Sequence, residues 1–147
     1  VVDDATAVEL WGRVIHGFQA TNRRLHAEMR YDFDLNEAEA ETLLELHRQP
    51  EHRAKLSFLA KGAGFSTGGF TKIADKLSNR GLAVRVACEE DRRVSYLGLT
   101  EGGLEMASAL TAAVANANRR HFIDVLGEEQ ACQVATAMTY LYRANSV

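Results

Sequence analysis

Residues 66–100 read STGGFTKIADKLSNRGLAVRVACEEDRRVSYLGLT, and the fold turns on how this stretch is parsed. Ser66 is a good helix N-cap, and Phe70, Ile73, Ala74 and Leu77 then recur on one helical face. Gly81 follows the last of them, where a helix commonly ends on left-handed backbone. From Leu82 the period drops from helical to alternating: Leu82, Val84 and Val86 interleave with Ala83, Arg85 and Ala87. Val94 to Leu99 alternates as well, and the residues between are charged. The stretch therefore predicts a short helix followed at once by a β-hairpin with Arg92 and Arg93 at its tip.

Working upstream, Ser57 is the expected cap of another short helix, with Phe58, Leu59 and Ala60 facing inward. Gly62 and Gly64 end it, and Phe65 is expected to anchor the turn into the next helix. Two short helices joined by a glycine-containing turn make a helix-turn-helix. Before them, Pro50 and the charged Glu51-His52-Arg53 read as a loop. Asn36 with Glu39 three residues on has the form of a capping box, opening a helix through about His47 with Leu43, Leu44 and Leu46 buried. Val8, Trp11, Val14, Ile15, Phe18, Leu25 and Met29 give a long first helix over about 5–30, and Tyr31 to Leu35 breaks that pattern.

Downstream, Thr100 is the expected cap of a long helix through about Phe122, with Leu104, Leu110, Val114 and Ala117 in its apolar stripe. After Gly127 a last helix carries Ala131, Val134, Met138, Leu141 and Tyr142. The expected fold is mainly α (α+β): a winged helix-turn-helix with long N- and C-terminal helices. The terminal stripes exceed what a small winged unit covers, and exposed apolar surface of that size usually marks association.

The 147 residues suit one domain, and a hydrophobic content of 46% supports a real core. No apolar run is long enough to span a bilayer. The opening Val1-Val2-Asp3-Asp4 lacks a basic region followed by an apolar stretch, so no secretory leader is expected there. Cys88 and Cys132 form no CxxC pair, which makes a reducing cytoplasm the expected compartment. The net charge of −3 hides an asymmetry. From His52 to Thr100 nine basic residues face four acidic ones, a net of +5, while the remainder carries −8. At a screening length of about 8–10 Å, a basic segment can meet phosphate despite a distant acidic remainder.

With its elements in this order, the chain resembles the MarR family of winged-helix transcriptional regulators. The likeness rests on Leu35-Asn36, Leu43-Leu44-Glu45-Leu46, Leu56-Ser57-Phe58-Leu59-Ala60, Gly64-Phe65-Ser66 and Phe70-Thr71-Lys72-Ile73. It continues through Leu77, Arg80-Gly81-Leu82, Asp91-Arg92-Arg93 and Leu99-Thr100-Glu101-Gly102-Gly103. The wing-to-helix segment is the specific part, and the resemblance covers essentially the whole chain. It implies a single MarR-type domain over 1–147, with helical dimerisation regions at 1–34 and 101–147 and a winged DNA-binding region at 35–100. The implied partners are a second copy of the chain and palindromic double-stranded DNA, with half-sites about 34–36 Å apart.

Expected DNA contacts follow from chemistry and from the resemblance together. On the helix face opposite Phe70, Ser66, Thr67, Gly68, Thr71 and Lys72 offer hydroxyls, a methyl, a bare backbone and a cation to bases and phosphates. Lys76 joins them toward phosphate, with Lys55 and Arg80 as general phosphate candidates. Arg92 and Arg93 can enter a narrow minor groove. By the resemblance Arg93 is the inserting residue, and Asp91 orients its guanidinium rather than touching DNA.

A small aromatic or anionic effector is implied by the family, with Trp11, His16, Phe18 and Tyr31 as its expected contacts and His26 and His47 nearby candidates. No cofactor is expected. No metal is expected either, because His16, His26, His47, His52 and His121 show no paired spacing with carboxylates. A peroxide-sensing cysteine in the first helix, as some family members have, is absent. Catalysis has no motif to rest on: Gly62-x-Gly64 lies between helices, and no P-loop or nucleophile elbow occurs. The rival to a DNA-binding regulator is a winged-helix protein–protein module, favoured by the acidic run Glu89-Glu90-Asp91 beside the wing arginines.

Overall fold

A computed structural model describes residues 1–146. The elements in chain order are α1 (Asp4–Phe33), α2 (Glu37–Arg48), a 3₁₀ turn (Pro50–His52), β1 (Arg53–Lys55), α3 (Leu56–Gly62) and α4 (Thr67–Asn79). Then come β2 (Ala83–Ala87), β3 (Ser95–Leu99), α5 (Glu101–Asn118), a π-helical turn (Arg119–Ile123), α6 (Asp124–Leu126) and α7 (Glu128–Asn145). The strands form one antiparallel sheet in the order β1-β3-β2. The fold is a mainly α winged helix-turn-helix. No helix among the described residues is long and apolar enough to cross a membrane.

Two compact units emerge, 29–113 and a second of 1–28 with the residues from 114 onward, so both divisions fall inside helices, α1 and α5. In the 29–113 unit, Leu35, Leu43, Leu46, Phe70, Leu77, Leu97 and Leu110 are fully buried. Closing such side chains off from water contributes about 1.5–3 kcal/mol each. The α4 stripe of Phe70, Ile73, Ala74 and Leu77 is buried as its spacing requires. Ala83 opposes Leu99 and Val86 opposes Tyr96 across the hairpin, while Ala54 opposes Leu97 on the other side of β3.

Local caps form at Asn36, Ser66, Gly81 and Thr100. The Asn36 side chain accepts from the Glu39 N–H at 2.9 Å, and the Ser66 hydroxyl accepts from the Gly69 N–H at 3.1 Å. Gly81 takes φ 71° and ends α4. Thr100 does two jobs: its oxygen accepts from the Gly103 N–H at 3.0 Å, and its hydroxyl donates to the Gly81 carbonyl at 2.6 Å.

Several expectations fail for identifiable reasons. α1 continues through Tyr31 to Phe33, because its backbone ladder tolerates exposed side chains; it stops at Asp34, which turns left-handed at φ 55°. Ser57 does not cap α3, which starts one residue earlier at Leu56 after an uncapped Lys55. Phe58 points to solvent at 52% exposure, whereas Leu59 and Ala60 are buried. Of the residues expected to form a loop, Pro50–His52 make the 3₁₀ turn and Arg53 opens β1, which with Ala54 and Lys55 completes the third strand against β3. The expected single helix to Phe122 gives way at Asn118 to the π-helical turn. On β2 only Ala83 is buried, so the valine side of the alternation faces water at Val84 and Val86.

The unit of 1–28 with the residues from 114 onward leaves much apolar surface uncovered. Val8, Trp11, Val14 and Phe18 of α1 are exposed, as are Val134, Met138 and Leu141 of α7. Glu28 is its main polar tie to the π-helical turn, accepting from Arg120 at 2.6 Å and pairing with His121 Nε2 at 2.5 Å.

Candidate nucleic-acid interface

The helix-turn-helix consists of α3, a four-residue turn with Gly64 at φ 74°, and α4. Ser66, Thr67, Gly68, Lys72 and Lys76 are all exposed, and Thr71 is half-buried. The Thr71 hydroxyl donates back to the Thr67 carbonyl at 3.1 Å, which leaves its oxygen lone pairs outward as acceptors. One edge of α4 therefore offers hydroxyl, backbone and ammonium groups while the opposite edge is core.

The adjacent glycines of this helix differ. A side chain at Gly69 would bring a Cβ within 3.2 Å of the Ser66 hydroxyl oxygen and 3.6 Å of the Phe65 ring. The N-cap thus explains Gly69. At Gly68 a Cβ would meet nothing within 4 Å. Glycine in a helix costs roughly 1 kcal/mol relative to alanine, and nothing inside the fold requires it there.

The wing is the β2–β3 hairpin. Its tip is closed by the Cys88 N–H donating to the Val94 carbonyl and the Val94 N–H to the Asp91 carbonyl, both at 3.0 Å. Arg93 is 91% exposed, yet its Nε donates to Asp91 Oδ1 at 3.1 Å. Arginine hydrogen bonds from side chain and backbone hold the Asp91 carboxyl below the usual carboxylate range. Arg92 is exposed.

Two arginines counted in the local positive charge are engaged within the fold. Arg85 of β2 donates to Asp75 Oδ1 at 2.6 Å and to the Thr71 carbonyl at 3.4 Å, bracing the wing against α4. Arg80, read as a phosphate candidate, instead donates to the Asp34 carbonyl at 2.7 Å and the Phe33 carbonyl at 3.2 Å. Their partners lie 10 to 47 positions away in sequence, beyond any local pattern. Arg53 lies over the Tyr96 ring, 5.4 Å from its centre.

Of the residues expected to meet an effector, Trp11, His16 and Phe18 belong to the unit of 1–28 with the residues from 114 onward, and Tyr31 to the 29–113 unit. Trp11 and Phe18 are seven positions apart on α1 and share an exposed face. His16 and Tyr31 are also on α1, and Tyr31 is 91% exposed. His47 is on α2, its ring between the Ser108 and Thr111 hydroxyls at 3.3 Å each and stacked on His52. Thr111 already donates to the Ala107 carbonyl, so His47 Nδ1 is the donor to it and Nε2 the acceptor from Ser108 when the ring is neutral.

A helix-turn-helix with an arginine-tipped hairpin behind its second helix defines the winged-helix class. Residues 33–94 match the MarR family model, and the chain has the winged helix-turn-helix fold of the structures it resembles. Among solved structures it is similar to AbsC, a MarR family transcriptional regulator from Streptomyces coelicolor. That match has 25% identity and a TM-score of 0.86, covering 98% of this chain and 96% of AbsC. It is also similar to Sco3205 of the same organism, solved in complex with DNA. There the identity is 20% and the TM-score 0.88, with 100% of this chain and 92% of Sco3205 covered. The S. aureus MepR–DNA complex matches at 18% identity and TM-score 0.74, over 93% of this chain and 96% of MepR.

Proposed function

We propose that this protein binds palindromic duplex DNA as a homodimer and regulates transcription, as a repressor released by a small aromatic or anionic effector. The observation that carries the reading is the pairing, in one compact unit, of an exposed α4 edge with no internal use for Gly68 and a wing arginine braced by Asp91. Affinity would come from Lys72, Lys76 and the wing arginines against phosphate, and sequence choice from residues 66–72. The likeness to Sco3205 and MepR, each solved with DNA, supports the same reading. The uncovered apolar faces of α1 and α7 support a second copy as partner. The working compartment is the cytoplasm, where such DNA lies.

The rival protein–protein module draws on the acidic wing tip, but Asp91 is taken up by Arg93, which reduces the repulsion a phosphate would meet. Enrichment of a random-sequence duplex pool on the purified protein tests the proposal. A recovered inverted repeat supports it. Failure to enrich any sequence, with no duplex binding at low salt, favours the interaction module.

A further inference from the structure

Arg80 caps two helices at once. Its backbone N–H donates to the Lys76 carbonyl at 3.1 Å, closing α4. Its guanidinium reaches the corner between α1 and α2, with one nitrogen on the Asp34 carbonyl and another on the Phe33 carbonyl. Those carbonyls sit at a helix C-terminus, where they lack partners within the helix and favour a cation. The Glu39 carboxylate of α2 stands 3.7 Å from the same guanidinium, and its side chain is only 8% exposed. Removing one partner from such a pair leaves a buried charge without compensation. For Arg80 to reach a phosphate it would have to abandon two carbonyls and strand Glu39.

We propose that Arg80 is a positioning residue for DNA recognition: it fastens the C-terminal end of α4 to the Phe33–Glu39 corner and so sets the angle at which Thr67–Lys72 meet the duplex, without touching DNA. This rests on the DNA-binding reading above. A forked planar guanidinium can serve two carbonyls at once, which a lysine ammonium on the same backbone does less well.

The test compares wild type, Arg80→Lys, Arg80→Ala and Glu39→Gln by fluorescence anisotropy at several salt concentrations, below each variant's melting temperature. The probes are the duplex that wild type recovers from a random pool and a scrambled duplex of equal length. As a positioning residue, Arg80 when changed to Lys lowers affinity for the recovered duplex by about tenfold. Scrambled-duplex affinity and the salt slope stay at wild-type values. Glu39→Gln, which keeps the arginine, shifts specific affinity the same way and carries the test if Arg80→Ala does not fold. A phosphate contact behaves differently: Arg80→Lys binds like wild type, and Arg80→Ala weakens both duplexes and lowers the salt slope by about 0.9. That result overturns the proposal, as does unchanged specific affinity in all three variants. If wild type enriches nothing from the pool, the DNA-binding reading itself has failed and this proposal falls with it.

Discussion

Asp91 holds Arg93 through three hydrogen bonds: Oδ1 accepts from the Arg93 backbone N–H at 3.0 Å and from Nε at 3.1 Å, and Oδ2 accepts from a terminal guanidinium nitrogen at 3.3 Å. The arginine is thus aimed before any partner arrives. Two effects oppose each other when Asp91 becomes Asn. Losing a negative charge favours phosphate in general, while freeing the arginine costs about 0.5–1.5 kcal/mol of ordering on binding. Asp91→Asn is therefore expected to raise affinity for random duplex and lower the ratio of specific to random affinity. Anisotropy on both duplexes measures that ratio, and an unchanged ratio removes the aiming role.

Gly68 and Gly69 should respond oppositely to alanine. Gly68→Ala has open space for its Cβ and should stabilise the protein by about 0.5–1 kcal/mol in urea unfolding, while weakening DNA binding. Gly69→Ala presses on the Ser66 cap at 3.2 Å, which cancels the helical gain. A Gly68→Ala protein that is more stable and binds DNA as tightly as wild type would show that the backbone needs no close approach at this position.

A similar contrast holds at the start of α5. A Cβ on Gly103 would lie 1.8 Å from the Leu82 carbonyl oxygen, which already accepts from the Thr100 N–H at 3.2 Å. Gly103→Ala must displace backbone and is expected to cost about 1–3 kcal/mol. At Gly102 the nearest atom is at 3.7 Å, an ordinary contact, so Gly102→Ala should gain about 0.5 kcal/mol. Denaturant midpoints of the two variants should move in opposite directions, and a common direction would contradict the geometry.

Glu28 carries a pH signature. Its hydrogen bond from His121, helped by the Arg120 charge, holds the carboxyl below the usual glutamate range despite some opposing desolvation. A depressed folded-state pKa stabilises the fold at pH values above the unfolded value of about 4.3, and that contribution is lost as pH falls through the lower folded value. Both partners are partly exposed, so about 0.2–1 kcal/mol is expected. Glu28→Gln should be less stable than wild type at pH 6 and converge with it near pH 3. A gap that persists at pH 3 would mean the loss is steric rather than ionic.

The parts of the fold that the sequence reveals are those set by neighbours in the chain. The caps at Asn36 and Ser66 act across three residues, and the α4 stripe repeats every turn, so both are readable as patterns. β1 is three residues long and exists because Arg53–Lys55 meet Tyr96–Gly98, a pairing no local period announces. The same distance hides Arg80: one arginine after a helix reads as surface charge until the Phe33 and Asp34 carbonyls are brought beside it. Phe58 shows the opposite limit, since its hydrophobicity places it inside a short helix whose one inward face is already filled by Leu59 and Ala60.

The most direct test of DNA recognition by α4 and the wing is the salt dependence of binding to the pool-selected duplex, for wild type and Arg93→Ala. Wild type is expected to show a steep negative slope, and the variant a loss of about 1–3 kcal/mol. Equal affinity of the two proteins at every salt concentration would contradict it.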